Sequence, residues 1–229
     1  MRVAVLSDLH ANRPALEAVL ADCPPVDGWV CAGDVVGYGP YPDACVDAMR
    51  DREVPTVMGN HDRAVVTDTD FSFNSSAGEG VRYARRELSD DRRAWLADRP
   101  TTLAAFDGRV AVVHGHPEDP DRYVYPALFS AEDIEAAREE VPGAEDCEVL
   151  VMGHTHVQGH ERTDEGLVLN PGSVGQPRDG DPRAAYAILD LDTLAVEERR
   201  VEYGVEAMVE AVRAAGLPEG SGTRLRKGR

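Results

Sequence analysis

The chain has 229 residues, 42% of them apolar, which is enough for one large domain with a real core. No apolar run approaches the ~20 residues of a membrane span, and the N-terminal run at 3–6 gives way to Asp8 and His10, unlike a signal peptide, so a cytoplasmic protein with no membrane partner is expected. A net charge of −18, with Lys227 the single lysine, leaves no basic stripe to displace the counterions of a nucleic acid, and fits a protein adapted to concentrated salt, where screening removes self-repulsion.

Residues 2–7 read as a buried strand and 14–21 as a helix with Pro14 in its first turn. A strand at 29–32, a helix at 43–50 and a strand at 54–58 follow, so strand and helix alternate as in parallel βαβ units. The loop 35–42, directly after Asp34, holds two each of Gly, Pro and Tyr and suits a rigid turn or the rim of a substrate pocket. Residues 64–73 read as loop with some helix, 76–88 as helix, and Ser89 as the cap of a short helix at 90–97. A hairpin at 103–106 and 109–113 turns at Asp107-Gly108. Ser130 caps a helix ending at Glu140, and 148–152 is a strand. Two further hairpins (157–162 with 167–170, 184–190 with 195–203) and a helix at 206–215 close the chain. Residues 1–217 are expected to form one domain and 218–229, rich in arginine, a flexible tail. The four cysteines, Cys23, Cys31, Cys45 and Cys147, form no CxxC pair and suit reduced core positions.

Five apolar runs end abruptly in polar, metal-capable side chains. These ends are Asp8-Leu9-His10, Gly33-Asp34, the loop Gly59-Asn60-His61-Asp62, His114-Gly115-His116 and Gly153-His154-Thr155-His156. Open α/β sheets place their ligand sites at such C-terminal strand ends. Six of the seven histidines lie there, and only His160 falls outside. Nitrogen and oxygen donors without cysteine suit borderline transition metals such as Mn, Fe, Co, Ni or Zn. The donors are too many for one ion. Two ions roughly 3.5–4 Å apart would clamp an in-line displacement at phosphorus, with one carboxylate between them, for which Asp34 is the candidate.

In this order and spacing the five blocks resemble those of the calcineurin-like metallophosphoesterases, and cover residues 8 to 156. The stretches 7–12, 33–40 and 170–179 resemble its small bacterial and archaeal phosphodiesterase-like group. The resemblance implies an α/β fold, a four-layer αββα sandwich of two mixed β-sheets flanked by helices. It implies that Asp8, His10 and His156 hold one metal, that Asn60, His114 and His154 hold a second, and that Asp34 bridges. Manganese comes first among the divalent ions it allows, with Fe, Ni, Co or Zn as alternatives. His61 would face the leaving group as proton donor, and Asp62 would orient its loop. His116 would line the site without binding metal, and Arg178 would contact substrate through its guanidinium. The block 170–173 would support the metal loops or contact phosphate.

The chemistry so implied is hydrolysis of phosphate mono- or diesters, nucleotide-type esters among them, by a metal-activated hydroxide. A protein-binding scaffold on the same fold, as in the eukaryotic retromer subunit, is the alternative, and the intact ligand set favours the enzyme. A nuclease would call for a DNA-binding cap and a basic surface that this sequence lacks. The expected partner is a small phosphate ester, and a homo-oligomer is compatible with the sequence.

Overall fold

The computed structural model describes residues 1–67 and 74–229. Nine strands and the helices between them run in the order β1 (Arg2–Leu6), α1 (Arg13–Asp22), β2 (Gly28–Cys31), α2 (Pro42–Asp51), α3 (Asn60–Thr67), α4 (Ser75–Glu87), α5 (Asp90–Ala97), β3 (Thr102–Ala105), β4 (Val110–Val113), α6 (Ala131–Glu140), β5 (Val149–Val151), β6 (Gly159–Arg162), β7 (Leu167–Asn170), β8 (Ala184–Asp190), β9 (Ala195–Val201), α7 (Val205–Ala214) and α8 (Glu219–Thr223). One sheet has the order β2-β1-β8-β9 and the other β3-β4-β5-β7-β6. Both are mixed: β1 pairs parallel with β2 and antiparallel with β8, while β5 pairs parallel with β4 and β7.

Strand periodicity explains the layering. Along β1, Val3 and Val5 point into the space between the sheets, where they meet Val110, Val112, Val149 and Val151. Ala4 and Leu6 point the other way, toward Leu16, Val19, Val46 and Met49 of α1 and α2. The second sheet repeats the division, with Ala111, Val113 and Leu150 turned outward onto Ile134 and Ala137 of α6. Helix, sheet, sheet and helix therefore stack as the sequence implied. Both faces of the inner strands β1, β4, β5 and β7 are dry, which is why these read as continuous apolar runs, while the edge strands β6 and β9 carry exposed charged residues.

Three expectations are corrected. Residues 54–58 do not form a strand. Only Thr56 bridges Cys31, with Cys31 N–H donating to Pro55 O (2.9 Å) and Val57 N–H to Cys31 O (3.1 Å). Pro55 has no N–H to extend the ladder, and Met58 N–H turns away to Pro100 O (2.7 Å). Second, Asn60, His61 and Asp62 lie in the first turn of α3 and not in a loop. This helix also covers 64–67 of the segment expected as loop with some helix, and 68–73 of that segment lie outside the described residues. Third, residues 218–229 are folded. Leu225 is buried against Met208, Val212 and Leu217, Arg226 pairs with Glu206 (2.7 Å), and Gly180 N–H donates to Gly228 O (3.0 Å). Burying one leucine is worth roughly 1.5–3 kcal/mol, to which the α8 and 3₁₀ turns and the ion pair add.

Candidate metal centre

The backbone around the site is strained. Asp8, His10, Asp34, His154 and His156 all adopt left-handed φ values between +47° and +65°. Such conformations are rare for side-chain-bearing residues and persist only where the surroundings over-determine them. Here the loops lace together. Asp8 N–H donates to Gly33 O (2.9 Å), His10 N–H to Asp34 O (3.0 Å) and Gly153 N–H to His114 O (2.8 Å). The approach is close enough that a Cβ on Gly59 would stand 2.1 Å from Asp34 Oδ1, so only glycine fits there.

Each carboxylate is anchored by one oxygen. Asp8 Oδ2 accepts from Ser7 Oγ (2.6 Å) and His154 N–H (3.1 Å), while its Oδ1 is buried with no hydrogen-bond partner. Asp34 Oδ1 accepts from His61 N–H (2.9 Å), which leaves Oδ2 3.6 Å from His10 Nε2 and 3.4 Å from His114 Nε2. The imidazoles are aimed in the same manner. Nδ1 of His10, His114 and His156 faces the carbonyl oxygens of Val36 (3.2 Å), Ala32 (2.7 Å) and Gln176 (2.6 Å). A carbonyl demands N–H there, so each Nε2 presents a lone pair inward, the usual outer-shell arrangement for a metal-binding histidine. His154 is reversed: Nε2 faces Asp121 O (3.2 Å) and Nδ1 faces the centre.

The inward atoms form two groups. In one, His156 Nε2 is 3.2 Å from Asp8 Oδ1 and 3.1 Å from His10 Nε2. In the other, His114 Nε2 is 3.1 Å from both Asn60 Oδ1 and His154 Nδ1. Lone pairs that close repel unless a cation lies between them, so the donor set fits a divalent metal. The orphaned Asp8 oxygen is explained the same way. Among the described residues, Asp8 with His10 and His156, His10 with Asp34 and His61, and Asp8 with Asp34 and His114 each bring ligand atoms within 4.8 Å of one another.

Without metal, the electrostatics are those of a site short of positive charge. Burial alone would raise the Asp8 and Asp34 carboxyls, but neighbouring imidazoles outweigh it, His156 for Asp8 and His114 for Asp34, and both carboxyls stay below the ordinary range. Burial works against charge on His114 too, yet Asp34 and then Asp8 raise it to about 10, so one proton remains where a cation belongs. Burial lowers His61 and His154 to about 4.

Asp62 takes the orienting role. It accepts from Gly59 (3.1 Å), Val35 (3.2 Å) and Val36 (3.0 Å) N–H groups and so ties the loop after Asp34 to the start of α3. Burial, with Asp34 nearby, raises it to about 7. The block at 170–173 supports the metal loops: Asn170 Nδ2 donates to Gly153 O (2.7 Å) and Ser173 Oγ to Asp8 O (2.7 Å).

A cavity of about 180 Å³ opens over this centre, floored by Asp34, Asn60, His61, His154 and His156. Arg178 lines it. His116 is not among the described residues that line it; its ring is held by Asp133 at the start of α6 (Nε2 to Oδ1, 3.3 Å), where Asp133 also caps the helix by accepting from Ser130 N–H. Five further lining residues escaped the sequence, Tyr38, Asn74, Ala77, Tyr123 and Arg224. Tyr38 had a signal, since the Gly- and Pro-rich loop after Asp34 already suggested a pocket rim.

Residues 1–194 match the calcineurin-like phosphoesterase superfamily domain. The chain belongs to that family. It is a divalent-metal-dependent phosphoester hydrolase. An uncharacterized protein of Methanocaldococcus jannaschii is 30% identical over 247 aligned residues, covering 99% of this chain and 98% of the relative. The phosphodiesterase YfcE of Escherichia coli K12 is 28% identical, covering 86% and 91%. The crystal structure of a metallophosphoesterase from Sphaerobacter thermophilus superposes with a TM-score of 0.85 at 36% identity, over 100% of this chain and 99% of the other.

Proposed function

We propose that the chain hydrolyses phosphate mono- or diesters of small molecules at a centre of two divalent ions, manganese first among them. Asp8, His10 and His156 hold one ion, Asn60, His114 and His154 the other, and Asp34 bridges. The observation that carries this reading is Asp34 Oδ2, poised 3.6 Å from His10 Nε2 and 3.4 Å from His114 Nε2, one imidazole from each donor group. Two ions so held bring the pKa of a water toward neutrality and draw charge from the phosphoryl oxygens.

The chain's own residues do the rest. His61 lines the cavity beside Tyr38, with ring centroids 4.7 Å apart, and its backbone N–H fixes the bridging carboxylate. Its imidazole donates a proton to the leaving oxygen. Burial disfavours the charged ring, and the negative charge of a bound ester works in the opposite direction, favouring protonation once substrate is present. Arg178 offers a guanidinium to the substrate from the cavity wall. The small cavity and the acidic chain suit a small ester and not a nucleic acid.

Elemental analysis of manganese-loaded protein should find two ions per chain, alongside metal-dependent hydrolysis of p-nitrophenyl thymidine 5′-phosphate. A reproducible single ion would defeat the two-metal assignment.

A further inference from the structure

The outer wall of the cavity holds a feature that the metal chemistry does not use. Arg178 and Arg224 both line it, and both are half-buried. Arg178 comes from the loop after β7. Arg224 comes from the turn following α8, beyond the residues that match the family domain. The chain has 42 acidic against 24 basic side chains, so carboxylates are abundant, and most of its arginines find one. Among the described residues these two meet no Asp or Glu side chain. Arg178 Nη2 donates to Gln176 Oε1 (2.8 Å) and Tyr38 OH (3.3 Å), and Arg224 Nε donates to the backbone oxygen of Arg229 (2.5 Å). Burial, together with the nearby charge of Arg178, pulls Arg224 below the usual guanidinium range. Two like charges crowded into one wall cost free energy, which an anion between them would offset.

The position says which anion. Tyr38 shares the wall with the arginines and packs on the histidines of the floor. Its ring centroid is 4.9 Å from that of His10 and 4.7 Å from that of His61, while the Arg178 guanidinium carbon lies 5.8 Å from the same centroid. Arg178 N–H also donates to His156 O (3.1 Å), so the pair borders the metal-binding floor on the side that carries Tyr38. With the Tyr38 and Tyr123 phenols on the same wall, it presents a fork of donors suited to phosphate oxygens.

We propose that Arg178 and Arg224 form a second phosphate subsite, so that the preferred substrates are phosphate esters carrying a second phosphate group. This rests on the hydrolase reading above and narrows its substrate class. Leu225 fixes the subsite in place: its burial against Met208 and Val212 sets the turn that carries Arg224.

The test uses two ligands whose P–C bonds resist hydrolysis, propane-1,3-diphosphonate and propylphosphonate, titrated calorimetrically into manganese-loaded protein. The wild type should bind the diphosphonate at least about tenfold tighter, the scale of one charge-assisted hydrogen bond. In R224A the ratio of the two Kd values should fall about tenfold. R224Q, which keeps the stem and its packing, should give the same change and decides the matter if R224A does not fold. A wild-type ratio near one, or an equal weakening of both ligands in the variant, overturns the subsite. Turnover of p-nitrophenyl thymidine 5′-phosphate is read separately. Its absence would sink the hydrolase assignment and leave the Kd ratio to judge the subsite.

Discussion

The floor and the wall of the cavity are built on opposite principles. The floor is buried, laced by backbone hydrogen bonds and assembled from the ends of apolar runs. Its seven donors come from five chain segments, and nearly every one has its second polar atom tied down. The wall joins the buried Tyr38 of a Gly- and Pro-rich loop to the exposed Tyr123, the half-buried Arg178 of the loop after β7 and the half-buried Arg224 of the C-terminal turn. Its side chains lean on one another and not on the sheets. The floor thus suits invariant chemistry, which tolerates no displacement, and the wall suits selection among substrates, which needs only a change of side chain.

That division can be broken, starting with the largest effect. Asp34→Ala removes the oxygen proposed to bridge, and both metal content and hydrolysis should fall to background; full retention of two ions in the variant would contradict that proposal. His61→Asn should cost ~10²–10⁴-fold on alkyl or ribose-linked esters, whose alkoxide must be protonated, and far less on nitrophenyl esters, with both metals kept. Equal losses on the two classes, with metal unchanged, would remove the proton-donor role.

Leu225→Ala reaches the wall from behind. It should destabilise the protein by ~2–4 kcal/mol in denaturant titration, and lower the diphosphonate preference while metal content holds. A variant with a normal preference would show that the wall does not depend on the C-terminal packing.

The smallest effect reads the floor alone, through pH. His61 and His154 are lowered to about 4 in the metal-free protein, whereas the unfolded chain takes up those protons near 6.5. Between these values the unfolded state binds more protons at the histidines, His10 and His156 being lowered as well, and this outweighs the one extra proton that Asp62, raised to about 7, holds in the folded state, so metal-free stability should decline as pH falls from about 6.5 to 4. His114, raised to about 10, acts oppositely: its stabilisation is complete below 6.5 and is lost as pH rises toward 10. Thermal melts of metal-free protein across this range would test both. A flat profile below pH 6.5 would mean the imidazoles are less buried than described.

The floor was legible in the sequence and the wall mostly was not, for a physical reason. A strand that ends in Asp-x-His or Gly-Asp breaks an apolar run with groups that cannot be left buried unpaired, so the pattern itself declares a ligand. Both sheets were legible for the same reason of hydrophobic patterning. Arg224 declares nothing, because it is one arginine among many in a Ser- and Gly-rich stretch. Only the contact of Leu225 with α7 fixes where it points. His116 misled in the opposite sense. It shares a strand end with His114, but Asp133, supplied by a helix seventeen residues on, turns its ring away. Residues 54–58 were apolar enough for a strand, and Pro55 left the ladder a single bridge long.

The left-handed backbone at Asp8, His10, Asp34, His154 and His156 carries a cost that glycine would escape, roughly 1–2 kcal/mol at each position. Mutational drift judged on folding alone would therefore drain these positions toward glycine. The chain keeps imidazole and carboxylate exactly where a stability-seeking sequence would discard them, so its least comfortable residues are the record of what it has been selected to do.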